Sequence, residues 1–126
     1  MITIVTKVKR HLWTHGVKAK DCSGFSPFDI LIENKDKMKV KTSRPYYNRK
    51  DKTFWKITEL KIDEFDILAF IVQPIETPFY ISKKDLLRKI TPFRIKQNKG
   101  VYEITITKNV LYSNFVKDPK KIKVGK

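Results

Sequence analysis

Phe28-Asp29-Ile30-Leu31-Ile32-Glu33, a polar turn over 34–37, and Met38-Lys39-Val40-Lys41-Thr42-Ser43 make up the stretch that decides the fold. Each half alternates apolar with polar residues, and Asn34-Lys35-Asp36-Lys37 separates them, so the pair reads as a β-hairpin. A register with Glu33 opposite Lys39 gathers Ile30, Ile32, Met38 and Val40 on one apolar face. Asp29, Leu31, Glu33, Lys39 and Lys41 then share the other face. A slip by one residue would put the face carrying Asp29 against Met38 and Val40 and mix charge into the core.

Working outward, Ile4, Val5, Val8 and Leu12 recur at helical spacing, which predicts a short amphipathic helix over 3–14 that ends before Gly16. Residues 17–20 read as an edge strand, 44–52 as a basic loop, 54–58 as a strand and 59–64 as a helical turn. Phe65 to Val72 is a nearly continuous apolar run, the pattern of a central strand buried on both faces. A strand over 78–81 follows. Ser82 then caps a helix from Lys83 to Ile90 that turns Leu86 and Leu87 inward. Val101 to Thr107 alternates, with Tyr102, Ile104 and Ile106 on one side. Residues 1–116 are expected to form one domain and the lysine-rich 117–126 a mobile basic tail.

Lys and Arg total 28 against 13 Asp and Glu, a net charge of +15. Residues 57–82 carry −4, which leaves +19 on the remainder. Such an excess favours a polyanionic partner. Cys22 is the lone cysteine, so an internal disulfide and a cysteine-rich zinc site are both excluded. Lys7, Lys9 and Arg10 interrupt the apolar N-terminus, and no apolar run approaches the roughly 20 residues that span a bilayer. These features place the chain inside the cell, in cytoplasm or nucleoid. His11 and His15 lie four apart, with Asp21 or Cys22 as the only nearby third ligand for a metal. Solvent-facing or capping histidines are the simpler reading.

From Gly24 to about Leu87, the ordered pieces Phe28-Asp29-Ile30-Leu31-Ile32, Val40-Lys41-Thr42-Ser43, Phe65 to Val72 and Pro78-Phe79-Tyr80-Ile81-Ser82 resemble the PD-(D/E)xK restriction-endonuclease-like superfamily. Small endonucleases and archaeal Holliday-junction resolvases are the members most alike. The resemblance implies an α/β fold with a mixed central β-sheet flanked by helices. It also implies Mg²⁺- or Mn²⁺-dependent hydrolysis of phosphodiester bonds in structured DNA, and a two-fold homodimer. Asp29 takes the place of the metal-binding aspartate, and Lys41 that of the lysine that positions the attacking water. Lys39 stands where the family has its second acid. Glu33, about 13 Å from Asp29 along a strand, is a hairpin carboxylate that could join it on a metal; Asp21 and Glu59 are alternatives from outside the hairpin.

Two functions are therefore expected to compete: a metal-dependent endonuclease, and a non-cleaving DNA- or RNA-binding protein on the same scaffold. Lys35, Lys37, Lys39, Arg44, Arg49, Lys50 and Lys52 interleave with Tyr46 and Tyr47, a pattern suited to phosphates and unpaired bases. A third possibility, an interaction protein that blocks a nucleic-acid-binding partner, rests on Asp63, Glu64 and Asp66.

Overall fold

The computed structural model describes residues 3–22, 26–50, 52–90 and 95–122. Helix α1 (Ile4–Thr14) is started by Thr3, whose side chain accepts a hydrogen bond from the Thr6 N–H at 3.1 Å. Val8 and Leu12 are buried, with Ile4 and Val5 packed beside them, so one apolar stripe faces inward. The helix ends where Gly16 takes a φ of 74°, left-handed backbone that costs glycine nothing.

The hairpin is tighter than the sequence suggests. β1 (Ala19–Asp21) pairs antiparallel with β2 (Ile30–Ile32), and β2 pairs antiparallel with β3 (Asp36–Ser43). The turn is Glu33-Asn34-Lys35, with φ of 53° and 56° at Glu33 and Asn34, closed by the Lys35 N–H on the Ile32 carbonyl at 2.9 Å. Ile32 therefore faces Asp36, not a residue further along β3. Glu33 does not reach Lys39; the same register carried one pair past Ile30 and Met38 puts Asp29 opposite Lys39 instead. The displacement is an even number of residues, so the expected faces survive. Ile30, Ile32, Met38 and Val40 are all buried.

β3 runs parallel to β6 (Ile67–Val72), which runs antiparallel to β7 (Pro78–Ser82). Among the described residues this gives a mixed sheet in the order β1-β2-β3-β6-β7. Every residue of β6 is buried. Ile67, Ala69 and Ile71 pack with α1, while Leu68, Phe70 and Val72 point into a second core. Ser82 caps the turn that follows, accepting from the Asp85 N–H at 3.2 Å. That turn is a short helix, α2 (Lys83–Asp85), which continues as a π-helical segment, Leu86–Ile90, in place of the single α-helix expected.

The second core lies between the mixed sheet and an antiparallel one. Its strands are β4 (Tyr46–Tyr47), β5 (Thr53–Lys61), β8 (Ile95–Asn98) and β9 (Val101–Thr107), in the order β4-β5-β9-β8. Trp55, Ile57, Ile104 and Ile106 fill it from this side, and α3 (Lys108–Asn114) adds Val110 and Leu111. The chain thus has the α/β class read from the sequence. Several local expectations are corrected. Part of the 44–52 loop is strand β4. The expected helical turn from Glu59 is still strand through Lys61, with a 3₁₀ turn only at Ile62–Glu64.

The basic stretch expected to be mobile from Lys117 is packed as far as Ile122. Val116 and Tyr80 exchange backbone hydrogen bonds of 2.8 and 2.9 Å, Pro119 is buried, and Ile122 rests on the α1-side core. The abundance of lysine there masked two apolar anchors. Residues 123–126 lie outside the described residues. Among the described residues no helix is long and apolar enough to cross a membrane.

Phe70 is fully buried between the two sheets. Phe70→Ala should cost about 3–5 kcal/mol of stability in urea denaturation, whereas Lys20→Ala on the exposed edge should shift it by no more than about 0.5 kcal/mol.

Candidate functional site

Asp29 sits just before β2, where β3 runs on without a β2 partner. Its Oδ2 accepts the Val40 N–H at 2.8 Å, so the carboxylate satisfies a backbone donor that the strand ladder leaves open. The same oxygen lies 3.7 Å from the Lys39 Nζ. Lys39 also donates to the Pro27 carbonyl at 3.2 Å. Both members are largely enclosed, with side chains 17% and 26% exposed for Asp29 and Lys39. The ion-pair partner of Asp29 is thus Lys39, its cross-strand neighbour.

Lys39 and Lys41 project from the face of β3 that looks toward the antiparallel sheet. With Glu59, Lys61 and Glu64 they line a cleft of about 210 Å³. Glu59 was expected only as an alternative carboxylate from outside the hairpin, and Glu64 was not connected with the hairpin at all. A β-bulge brings them there: the β5–β9 register shifts between Ile57 and Leu60, and Glu59 takes a φ of 52°. One signal was available. Trp55 and Ile57 are two apart but Leu60 comes three later, a break in strand periodicity that marks an inserted residue.

The bulge points the Glu59 carbonyl at the Lys41 Nζ, 3.4 Å away. Glu64 pairs with Lys61 at 3.8 Å. Among the described residues Lys41 makes no ion pair. Burial pushes its ammonium below the ordinary lysine value of 10.5, and the Lys39 charge adds to the effect, against a partial offset from Glu59, Asp29 and Glu64.

The other basic candidates lie at two places. Lys35 is in the hairpin turn, and Lys37 stands over the Phe28 ring at 5.8 Å. Arg44, Tyr46, Tyr47, Arg49, Lys50 and Lys52 gather on the ribbon formed by β4 and the start of β5. Tyr46 stacks on Phe54 at 5.6 Å, and Arg44 and Lys56 stand over its ring at 5.3 and 5.1 Å. The acidic residue Asp66 is structural: its carboxylate accepts the Lys37 N–H at 3.0 Å where β3 meets β6.

The donor set does not fit a divalent cation. Mg²⁺ and Mn²⁺ want several oxygen ligands free of competing cations. Asp29 is engaged by Val40 and Lys39. Glu33 is at the opposite end of β2, and its Oε1 accepts the Lys18 N–H at 3.1 Å. Among the described residues no group of three or more His, Cys, Asp or Glu side chains comes together. His11 and His15 are spent on packing: His11 Nδ1 is 2.8 Å from the Tyr80 hydroxyl, and His15 Nδ1 is 2.9 Å from the His11 carbonyl.

No family model and no curated protein matches the sequence. Among solved structures the chain is similar to a bacterial homing endonuclease, I-Ssp6803I, with a TM-score of 0.53 over 83% of this chain and 74% of that one, at 10% identity. The chain shares the backbone fold of that protein. At so low an identity the likeness extends to the backbone and leaves the chemistry to the residues described above.

The lowered pKa of Lys41 has a definite sign in stability. At neutral pH the residue is charged in both states, and the folded state bears the full burial penalty. As pH rises toward 10.5 the folded chain releases this proton first, so the penalty fades. Lys41→Met should therefore be more stable than the wild type at pH 7, with the difference shrinking as pH approaches 10.5. Urea denaturation of both proteins across that range measures it.

Proposed function

We propose that this chain is a nucleic-acid-binding protein, with DNA as the favoured partner, built on a PD-(D/E)xK nuclease scaffold whose metal position has been taken over by lysine. Lys41 carries the reading. Its ammonium is half-buried in the cleft, its hydrogen bond goes to the Glu59 carbonyl, and it has no carboxylate partner among the described residues. A phosphate entering the cleft supplies the missing counter-charge. Lys39, one strand pleat away, is a tethered positive charge beside Asp29, where a nuclease of this class would hold a cation. The surplus of +15 adds attraction at long range.

Phosphate contacts of this kind position a nucleic acid without reading its sequence. The arrangement accounts for a grip on the backbone: an ammonium poised in a cleft, a second ammonium next to it, and a carboxylate that fixes the second one in place. It supplies no activated water.

Metal-dependent endonuclease activity on structured DNA is the second reading. It is favoured by Asp29 at the head of its strand, by Lys41 two residues after Lys39, and by the kinship in fold with a homing endonuclease. It requires a cation to compete with the Lys39 ammonium for Asp29, whose Oδ2 already accepts the Val40 N–H. A two-fold homodimer belongs with this reading, since cutting paired strands needs two sites.

Labelled duplex and branched DNA, incubated with Mg²⁺ or Mn²⁺ and followed by gel retardation and by denaturing gels, separate the two. Binding without cutting is expected. Lys39→Ala and Lys41→Ala should each weaken binding and lower the salt slope by about 1, while Asp29→Ala should leave affinity equal or raised. Metal-dependent cutting that disappears in Asp29→Ala would establish the second reading instead.

A further inference from the structure

We infer that the β4–β5 ribbon is a stacking site for an unpaired nucleotide base, with Tyr47 as the platform and Arg49, Lys50 and Lys52 as the phosphate contacts beside it. The inference rests on the nucleic-acid reading above and adds a substrate class to it: single-stranded or branched segments.

The structure distinguishes sharply between two adjacent tyrosines. Tyr46 is committed, with Phe54 against its ring and Arg44 and Lys56 over it. Tyr47 is 67% exposed. Two other large apolar side chains are comparably exposed, but each is held in place. Trp13 donates its indole N–H to the Ala19 carbonyl at 3.2 Å and lies under Lys9. Tyr112 meets the Phe79 ring edge-on at 5.8 Å. Among the described residues Tyr47 alone of the three has no side-chain hydrogen bond and no ring contact.

The mounting beneath Tyr47 is rigid. Its backbone pairs with Thr53. Asn48 clamps the loop that follows: its Oδ1 accepts from the Lys50 N–H at 2.9 Å and from the Lys52 N–H at 3.0 Å, and its own N–H donates to the Lys52 carbonyl at 3.2 Å. A ring held on an ordered ribbon loses little freedom when a ligand covers it. The same contacts hold the backbone at Lys50 and Lys52, and the exposed Arg49, Lys50 and Lys52 form no ion pair among the described residues.

An aromatic face with no ring partner, flanked by cations that form no ion pair among the described residues, suits one ligand chemistry well. Cations take the phosphates, and the ring takes a planar base. Within a duplex each base face is already covered by its neighbour, so the ring has a partner only where a base is unstacked.

The test measures affinities of the wild type, Tyr47→Ala and Tyr47→Phe for a fluorescent dT 15-mer, a uridine 15-mer, and a blunt duplex with the same number of phosphates. Tyr47→Ala should weaken binding to both single strands by about tenfold, leave duplex affinity within about twofold, and be rescued by Tyr47→Phe. Equal loss on all three ligands, or no loss on any, would overturn the stacking site while leaving nucleic-acid binding intact. A wild type that binds none of them would overturn both.

Discussion

β6 imposes the constraint that the remainder of the fold answers. A strand without a polar side chain has no face to give to water, so each side must be covered. Helix α1 covers one side and the antiparallel sheet the other. Every other strand of the mixed sheet is placed by its relation to this one. β3 lies parallel to it, so the register from Met38 opposite Ile67 to Ser43 opposite Val72 sets how far Lys39 and Lys41 stand from the second core. They end beside Leu68 and Phe70, at the margin where burial stops. Two lysines are half-enclosed there because the core needed covering, and a cleft remains because the β5 bulge keeps the covering sheet from closing over them.

Asp29 shows how a carboxylate at the head of a strand can be satisfied by the chain's own groups. A carboxylate at the head of a strand and facing a metal is held there by the metal's charge. In this chain the same carboxylate is held by a backbone N–H and a lysine, and both are supplied by β3 itself. The local electrostatics are then satisfied with no external ion. The charge in the cleft that has no ion-pair partner among the described residues is Lys41.

Much of this was legible in the sequence, and the reasons are physical. Alternation in 28–43 and the unbroken apolar run of 65–72 are strong signals, because a pleated strand has a period of two and a doubly covered strand has none. The hairpin's faces were readable even though its register was not, since a displacement by an even number of residues preserves sidedness. The bulge at Glu59 was obscured by a short acidic run that suits a helical turn equally well, so Glu64 was not placed in the cleft, while Glu59 was named only as a carboxylate that could come in from outside the hairpin. β4, β8 and α3 were missed because each is short. Lys108–Asn114 in particular is begun by a threonine cap, with Thr107 accepting from the Val110 N–H at 3.3 Å, and held by two buried residues. No periodicity of useful length exists in so brief a helix.

The pairing of Val116 with Tyr80 has a consequence for the sheet as a whole. A β-sheet ends in a row of unsatisfied backbone groups, which invites a strand from another chain to join. At β7 that invitation is partly withdrawn by the chain's own C-terminal segment, which takes up the Tyr80 N–H and carbonyl. At the opposite border, β1 is only three residues long and is flanked and occupied by lysines, at 18 and 20. The protein thus guards its two borders by different means, occupation on one side and charge on the other.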